Sequence, residues 1–365
     1  VQDLSSSLFR RREVIALSLL VVVAGAIFFV TRSAAVAHRR LRLQDAETWY
    51  SIGETRLAAG DARGAAEALR RATAISRDNQ TYQLTLATAL SEAHAINAAR
   101  LVLLQLRERS PESAEINLRL ARLDASRGDV SAAIRYYQSA VHGIWPTDTA
   151  EPRQSVRLEF IRYLLRHDQK RRALAELLVL DENLPSKSDV HLTAGGLFMQ
   201  ADDPSRALAH FELALKLDAR APDALVGAGQ AAFALGDYYR ARRYLQATVD
   251  SRATELRRIV ELVLTRDPLA PRLSARERRR RLTANLNDVN QRLSYCASDG
   301  AQALLVQTTD FLARLEKARE ADGIIDDGLE LIRRVEEGVP ASCPTPRSID
   351  RALLIIARRH AGAAS

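Results

Sequence analysis

Apolar and polar positions along the chain fall into three regimes. Val14 to Val30, VIALSLLVVVAGAIFFV, is seventeen residues with one Ser, one Gly and no charge. A helix with no polar stripe has no face to turn to water, so this pattern predicts membrane insertion rather than a place in a soluble core. It covers about 26 Å at the α-helical rise, and Thr31 with snorkelling arginines extends it toward a hydrocarbon core of roughly 30 Å. From Ala46 to Glu255 apolar positions recur at helical spacing with a 34-residue period. After Glu255 the period is lost, and amphipathic helical patterns of irregular length fill the remaining 110 residues (365 − 255).

A retained anchor fits the first regime better than a signal peptide cleaved at Ala35-Val36-Ala37. The apolar run exceeds the usual signal core of about 7–15 residues, and Arg32 interrupts the approach to the cleavage-like site. Arg11-Arg12-Glu13-Val14-Ile15 also loosely fits a twin-arginine export signal. Arg10, Arg11 and Arg12 before the segment nearly balance Arg32, Arg39, Arg40 and Arg42 after it, so positive charge does not decide orientation. The only two cysteines, Cys296 and Cys343, lie together in the C-terminal region. An exported disulfide has that look, and two buried thiols are the alternative. With the short N-terminal tail, the pair favours an N-terminus inside and the body outside.

The 34-residue period begins with Trp49, Ile52 and Gly53, is punctuated by Gly60-Asp61 and closes with Ala65, Leu69 and Ala72. A shift of 34 reaches Leu86, Ala87, Ala99, Leu103, Leu106 and Pro111, and a second reaches Leu120, Ala121, Gly128-Asp129, Ala133, Tyr137 and Ala140. The register slips by six residues across Asp148 to Arg153 and resumes with Phe160, Ala173, Leu177, Leu180 and Pro185. Two more shifts give Gly195, Phe198, Ala207, Phe211 and Ala214, then Ala228, Gly229, Gly236-Asp237, Ala241, Leu245 and Thr248. Each unit reads as two short helices in a hairpin. Gly53, Gly195 and Gly229 on first helices are expected to face Ala65, Ala207 and Ala241 on second helices, while Leu69, Tyr137, Phe211 and Leu245 fill the space toward the next hairpin. Gly-Asp at the bend supplies a helix C-cap followed by an N-cap. One hairpin cannot bury its apolar face alone, so stacking is obligatory.

These residues resemble the tetratricopeptide repeat, whose signature is W-x2-L-G-x2-Y, then A-x3-F, then a late Pro. Only Trp49 fills the Trp slot, and Ala87 and Ile161 stand where Gly is usual. The resemblance spans six units, 46–79, 80–113, 114–147, 154–187, 188–221 and 222–255. It implies an all-α superhelix of helix-turn-helix repeats with first helices lining a concave face, the usual docking surface for a partner peptide or helix. Carried onto this chain, that face includes Tyr50, Glu54, Thr88, Arg122, Arg162, Arg166 and Gln230. Members that hold the carboxylate tails of cytosolic chaperones use a Lys and Asn clamp. Tyr50, Glu54, Leu84 and Thr88 occupy the first two units here, which does not support that activity. Arg122, Arg162 and Arg166 are a candidate cationic stripe for an acidic segment, with solvated surface arginines as the alternative.

In the C-terminal region Leu256 to Thr265 continues helically and is expected to cap the last repeat. Asp267-Pro268 and Pro271 stop it, and Ser274-Ala275-Arg276-Glu277 is a capping box opening the next helix. Further helices are expected at 301–317, 322–335 and 348–360. A Cys296–Cys343 bond would staple the last helix to the long one, worth about 4 kcal/mol of unfolded-state entropy. Arg276, Arg278, Arg279, Arg280 and Arg281 form the densest basic run. Nucleic-acid binding would need stacking aromatics or a reading helix beside it, and neither is present, so a solvated or lipid-facing helix start is the preferred reading. The module resembles C-terminal extensions of bacterial membrane-anchored repeat proteins.

Composition agrees with a helical chain: 47% hydrophobic but 5% aromatic, with 16 Gly and 11 Pro, too few for a turn-rich β-sandwich. The 27% of charged residues, net +8, permits contact with anionic partners without requiring it. No G-x-S-x-G elbow, Walker loop or H-E-x-x-H appears, and the seven histidines, His38, His94, His142, His167, His191, His210 and His360, have no metal-ligand spacing. Asp202-Asp203 and Asp326-Asp327 suit helix starts and solvated faces better than an acid/base dyad. The expectation is therefore a non-enzyme without cofactor or metal, organised as a tail (1–13), a transmembrane helix (14–31), a juxtamembrane linker (32–45), six repeats (46–255) and a helical capping module (256–365). Its expected place is a bacterial inner membrane, single-pass, with the repeats periplasmic. Its expected work is that of a tethered protein-interaction scaffold without a small-molecule substrate. The alternative is a regulator binding anionic lipid or nucleic acid through 276–281.

Overall fold

The computed structural model describes residues 2–145, 150–296, 298–318, 323–339, 343 and 346–361. Side chains of residues 1–18 and 150–152 lie outside that description, among them Arg10 to Arg12 and Val14 to Ser18; Asp148, Asp322 and Pro344 also lie outside it. The described residues form seventeen α-helices, and two compact units divide the chain at Phe160 and Ile161.

The first unit begins with α1 (Gln2–Ala58), one unbroken helix of 57 residues. Its stretch from Leu19 onward contains a window long and apolar enough to cross a membrane, by length and composition. The expected linker at 32–45 is itself helix, exposed on every side. Nothing in that stretch breaks a helix, because it holds no Pro or Gly. Burial starts abruptly at Ala46, which is fully buried against Ala72 and Tyr82 with Trp49 and Tyr50 packed alongside. The end of α1 is thus also the first helix of the first hairpin, closed by α2 (Ala62–Ile75). Two further hairpins follow, α3 (Gln80–Glu92) with α4 (Ile96–Arg109), and α5 (Ala114–Ser126) with α6 (Val130–His142). From α1 to α6 each helix packs on the next, as stacked repeats require. An isolated bridge between Ser113 and Ile144 ties the third hairpin shut.

The helix α7 (Ala150–Arg166) runs through the division between the units. In the second unit α8 (Lys170–Asp181) is followed by hairpins α9 (Ser188–Gln200) with α10 (Pro204–Leu217) and α11 (Pro222–Ala234) with α12 (Tyr238–Gln246). All six bends place one residue in the left-handed region at the same slot: Gly60, His94, Gly128, Asp168, Asp202 and Gly236. Their spacing is 34, with the six-residue slip inserted once. Asp61, Asp129, Asp203 and Asp237 follow at four bends and cap the second helix, each accepting the amide three residues on. Ala95 and Gln169 occupy that position in the second and fourth hairpins and make no side-chain cap.

The small first-helix residues make room chiefly for large side chains, a refinement of the expected glycine-on-alanine contact. A Cβ on Gly53 would lie 2.5 Å from Leu69 Cγ, and one on Gly229 would lie 2.5 Å from Leu245 Cδ2. Gly195 and Gly227 leave the space that the Phe211 ring occupies.

Beyond the last hairpin come α13 (Thr254–Arg266), α14 (Ala275–Ser294), α15 (Asp299–Lys317), α16 (Gly323–Gly338) and α17 (Ser348–Ala361). Helix α13 packs on α12 and has the 13-residue length of the first helices α3, α5, α9 and α11. Among the described residues its successor α14 meets only the end of it, at Arg266 and Asp267. Instead α17 lies on it in parallel: Ser348 Oγ meets the Glu255 carboxylate at one end, and His360 Nε2 meets Asp267 at 3.1 Å at the other. Leu282, Leu286, Val289 and Leu293 of α14 form the buried spine of the module, with Ile332 and Val335 of α16 and Ile356 of α17 also fully buried. Cys296 and Cys343, with Cα atoms 4.9 Å apart, are bonded across the end of α14. Beneath them the buried Arg292 pairs with the buried Glu336, and Asp350 is held by Arg347 at 3.1 Å. Burial pushes the Glu336 carboxyl up to about 7, against the lowering influence of Arg292.

Candidate functional site

First helices of the first unit are linked through polar side chains on one face. Tyr50 on α1 donates to Glu54 at 2.7 Å, lies 3.4 Å from Thr85 Oγ1 on α3, and stacks on Tyr82 with ring centroids 4.5 Å apart. Tyr82 donates to Glu47, and this bond to a carboxylate, with burial, raises its hydroxyl to about 12. One turn along α3, Thr88 accepts from Arg119 of α5, which also pairs with Glu115 at 2.8 Å. A turn further, Arg122 forms a two-pronged pair with Glu159 of α7, at 2.9 and 2.6 Å, and Tyr137 donates to the same carboxylate at 2.8 Å. The Thr88–Arg119 separation is 31 residues and the Arg122–Glu159 separation is 37, so the second is the first plus the six-residue slip.

Tyr50 and Thr88 are half-buried and bonded, while Glu54 and Arg122 are exposed but already paired. Leu84 is buried and takes no place on the face. Arg162 and Arg166, in the second unit, are exposed, with Arg166 over the Tyr163 ring at 5.9 Å, and Gln230 is exposed on α11. Arg122 therefore belongs to an intramolecular pair before any stripe is considered.

Between α3 and α5 the face opens into a cavity of ≈ 240 Å³ lined by Thr88, Ser91, Leu103, Arg119, Arg122 and Ser126. Its floor is apolar and its rim supplies two guanidinium groups and three hydroxyls. A guanidinium carries five N–H donors. Arg122 uses two on Glu159, and Arg119 uses part of its set on Glu115 and Thr88, so donors remain for a further carboxylate or carbonyl. The hydrogen bond to Glu159 raises the Arg122 pKa above its ordinary value. Such a site can bind and orient an acidic or carbonyl-bearing group.

A larger cleft, ≈ 720 Å³, lies between α15 and α16, lined by Gln307, Asp310, Arg314, Asp327, Glu330 and Arg334. Its mixture of both charge signs selects for no ligand, and we place the candidate site in the smaller cavity on the repeat face.

The basic run at 276–281 is partly paired within its own helix. Glu277, capped from Ser274 through its amide, turns its carboxylate to Arg280 at 2.7 Å and Arg281 at 3.0 Å instead of back to the cap. Those bonds hold Glu277 down to about 2. Arg281 also donates to the Asp267 carbonyl, Arg276 is exposed, and Arg278 and Arg279 are half-buried. One carboxylate thus serves two of the guanidinium groups and offsets one positive charge of the run.

One pair escaped sequence reasoning. His191 of α9 and His210 of α10, distant in sequence, are both buried with Nδ1 atoms 3.2 Å apart, and His210 Nε2 reaches Asp181 at 3.0 Å. Burial lowers the His210 value, opposed by Asp181. Among the described residues no three metal-ligating side chains gather.

Sequence models of the tetratricopeptide repeat match residues 84–149 and 198–263. No curated protein sequence matches the chain. Among solved structures, YrrB, a TPR protein with an unusual peptide-binding site, is 16% identical over 50% of this chain and 91% of its own, with a TM-score of 0.40. The C-terminal part of a TPR repeat-containing protein from Cytophaga hutchinsonii is 13% identical over 77% of this chain and 99% of its own, with a TM-score of 0.42. The TPR2AB domain of yeast Sti1 in its pHSP90 complex is 15% identical over 55% and 88%, with a TM-score of 0.27.

Proposed function

This chain is a tetratricopeptide-repeat protein, and from that premise we propose that it is a membrane-tethered scaffold that docks an acidic peptide segment on its first three repeats. The observation that supports this reading most is the cavity where Thr88, Arg119 and Arg122 converge over an apolar floor. A carboxylate there meets charge-assisted donors, and apolar flanking residues meet Leu103 and Ala87. Proteins of this architecture serve in general as protein-interaction scaffolds. The tether is argued from Val14 to Val30, whose described part, Leu19 to Val30, is exposed along its length. A helix that leaves Leu19 to Val23, Phe28 and Phe29 to solvent has no stable home in water. Fixing the repeats at a bilayer raises their effective concentration for membrane-bound partners. The Cys296–Cys343 bond supports a repeat domain on the oxidising, periplasmic side.

The test is peptide binding by the full chain in detergent. Acidic peptides should bind, and Arg119→Glu with Arg122→Glu should abolish that binding while circular dichroism stays unchanged. Undiminished affinity in the double variant would remove the cavity from the account. The alternative of lipid or nucleic-acid binding through 276–281 is weakened by the local pairing of Arg280 and Arg281 with Glu277.

A further inference from the structure

The exposed stretch of α1 between the apolar segment and the first repeat has a sidedness that its composition conceals. At about 100° per residue, Arg32, Val36, Arg39, Arg40, Arg42 and Leu43 fall within an arc of about 160°. All six are exposed, with Val36 at 45% and Leu43 at 52%. The opposite side carries Ser33, Ala34, Ala37, His38, Leu41, Gln44 and the stretch's one carboxylate, Asp45. Four arginines with two aliphatic residues therefore share one face, and no described residue of the chain covers it.

We infer that this face binds anionic lipid headgroups and sets the direction in which α1 leans from the membrane. The inference rests on the membrane reading above. An upright helix would carry Arg39 to Leu43 roughly 14–20 Å beyond Val30, past a headgroup layer of about 5–8 Å. Two features close that distance. Helical side chains point back toward the N-terminus, which here is toward the bilayer, and a long guanidinium stem follows the same direction. A lean within the usual range of up to about 40° lowers the stripe further, and each arginine near an anionic surface gains roughly fivefold in association. Because α1 is unbroken to Ala58, the lean is passed to the repeats. On the same wheel the buried Ala46 and half-buried Tyr50, which pack on α2 and α3, fall within the arc, so a lean toward the stripe turns the side of α1 that carries the stacked repeats toward the bilayer. Tyr50 links that side to the polar face proposed to dock a partner.

The test places the full chain in nanodiscs of phosphatidylcholine alone or with phosphatidylglycerol, labelled at Leu43→Cys or, opposite the stripe, Leu41→Cys. Quenching by brominated lipid should rise on adding phosphatidylglycerol by about twofold more at 43 than at 41, and high salt should reverse it. Replacing Arg32, Arg39, Arg40 and Arg42 together by Gln should abolish the difference while incorporation into nanodiscs persists. Equal responses at 41 and 43, or none, in incorporated protein would overturn the inference and leave the tether standing. Binding of the stripe to polyglutamate without a lipid response would overturn it in favour of an acidic protein partner. Failure of the chain to enter any nanodisc would remove the tether and the inference together.

Discussion

Gly53 and Leu69 occupy one space: a Cβ on the glycine would sit 2.5 Å from the leucine Cγ. The same relation joins Gly229 to Leu245 in the sixth hairpin. Each of these hairpins closes by seating a large second-helix residue on a first-helix glycine, so the glycine is a packing requirement and not a flexible point. Gly53→Ala and Gly229→Ala should each cost about 1–3 kcal/mol, because a fully buried leucine must leave its rotamer or the helices must part. Thermal denaturation checks this. An unchanged midpoint in both variants would refute the seating argument.

The left-handed slot at each bend separates the hairpins by quality. His94 and Asp168 sit there with φ of 59° and 54°, and neither is followed by a capping carboxylate. A non-glycine residue in this conformation carries strain of about 1–2 kcal/mol. His94→Gly and Asp168→Gly should therefore stabilise by about 0.5–1 kcal/mol despite the entropy glycine adds to the unfolded chain. Ala95→Asp should add about 1 kcal/mol by supplying the missing cap. Chemical denaturation midpoints that fall for all three would contradict this.

In the C-terminal module the Glu336 carboxyl is raised to about 7 by burial. The folded state therefore binds this proton more tightly than the unfolded state does, and stability is lost as pH rises. The loss begins near the ordinary glutamate value and is complete above about 7, amounting to roughly 3 kcal/mol. Glu336→Gln should flatten the stability profile between about pH 4.5 and 7. A profile with the same slope in the variant would show that other groups dominate.

Cys296 and Cys343, 47 residues apart, enclose α15 and α16. Reduction, or Cys343→Ser, should lower the stability of the module by up to about 4 kcal/mol. Hydrogen exchange should show the loss first in α17, whose lead-in at Cys343 is no longer fixed to the end of α14. Faster exchange confined to α15, with α17 unaffected, would point to a different role for the bond.

Much of the fold was legible because the repeat is one-dimensional. Gly60-Asp61, Gly128-Asp129 and Gly236-Asp237 mark bends by chemistry, and the period then places the other bends. His94, Asp168 and Asp202 were not legible as left-handed residues, since the hairpin imposes that conformation on residues with little preference for it. The polar ladder was less readable than the helices. Arg122 and Glu159 are 37 apart, and their pairing emerges only when the six-residue slip is absorbed by a longer α7. His191 and His210 look unrelated in sequence because opposite helices of one hairpin bring them together. The stretch 32–45 reads as a linker by its charges, yet no helix breaker interrupts it. The parallel docking of α17 on α13 had no local signal, because its contacts join residues 93 apart.

The central claim is that the Thr88–Arg119–Arg122 cavity is where a membrane-bound partner docks. A photoreactive residue placed at Ser91, on the cavity rim, tests it directly in native membranes. The account predicts one discrete cross-linked species that disappears in the Arg119→Glu, Arg122→Glu variant and persists when the probe chain carries Arg276→Ala and Arg279→Ala. Cross-linking that is absent, or that survives reversal of both cavity arginines, would contradict it.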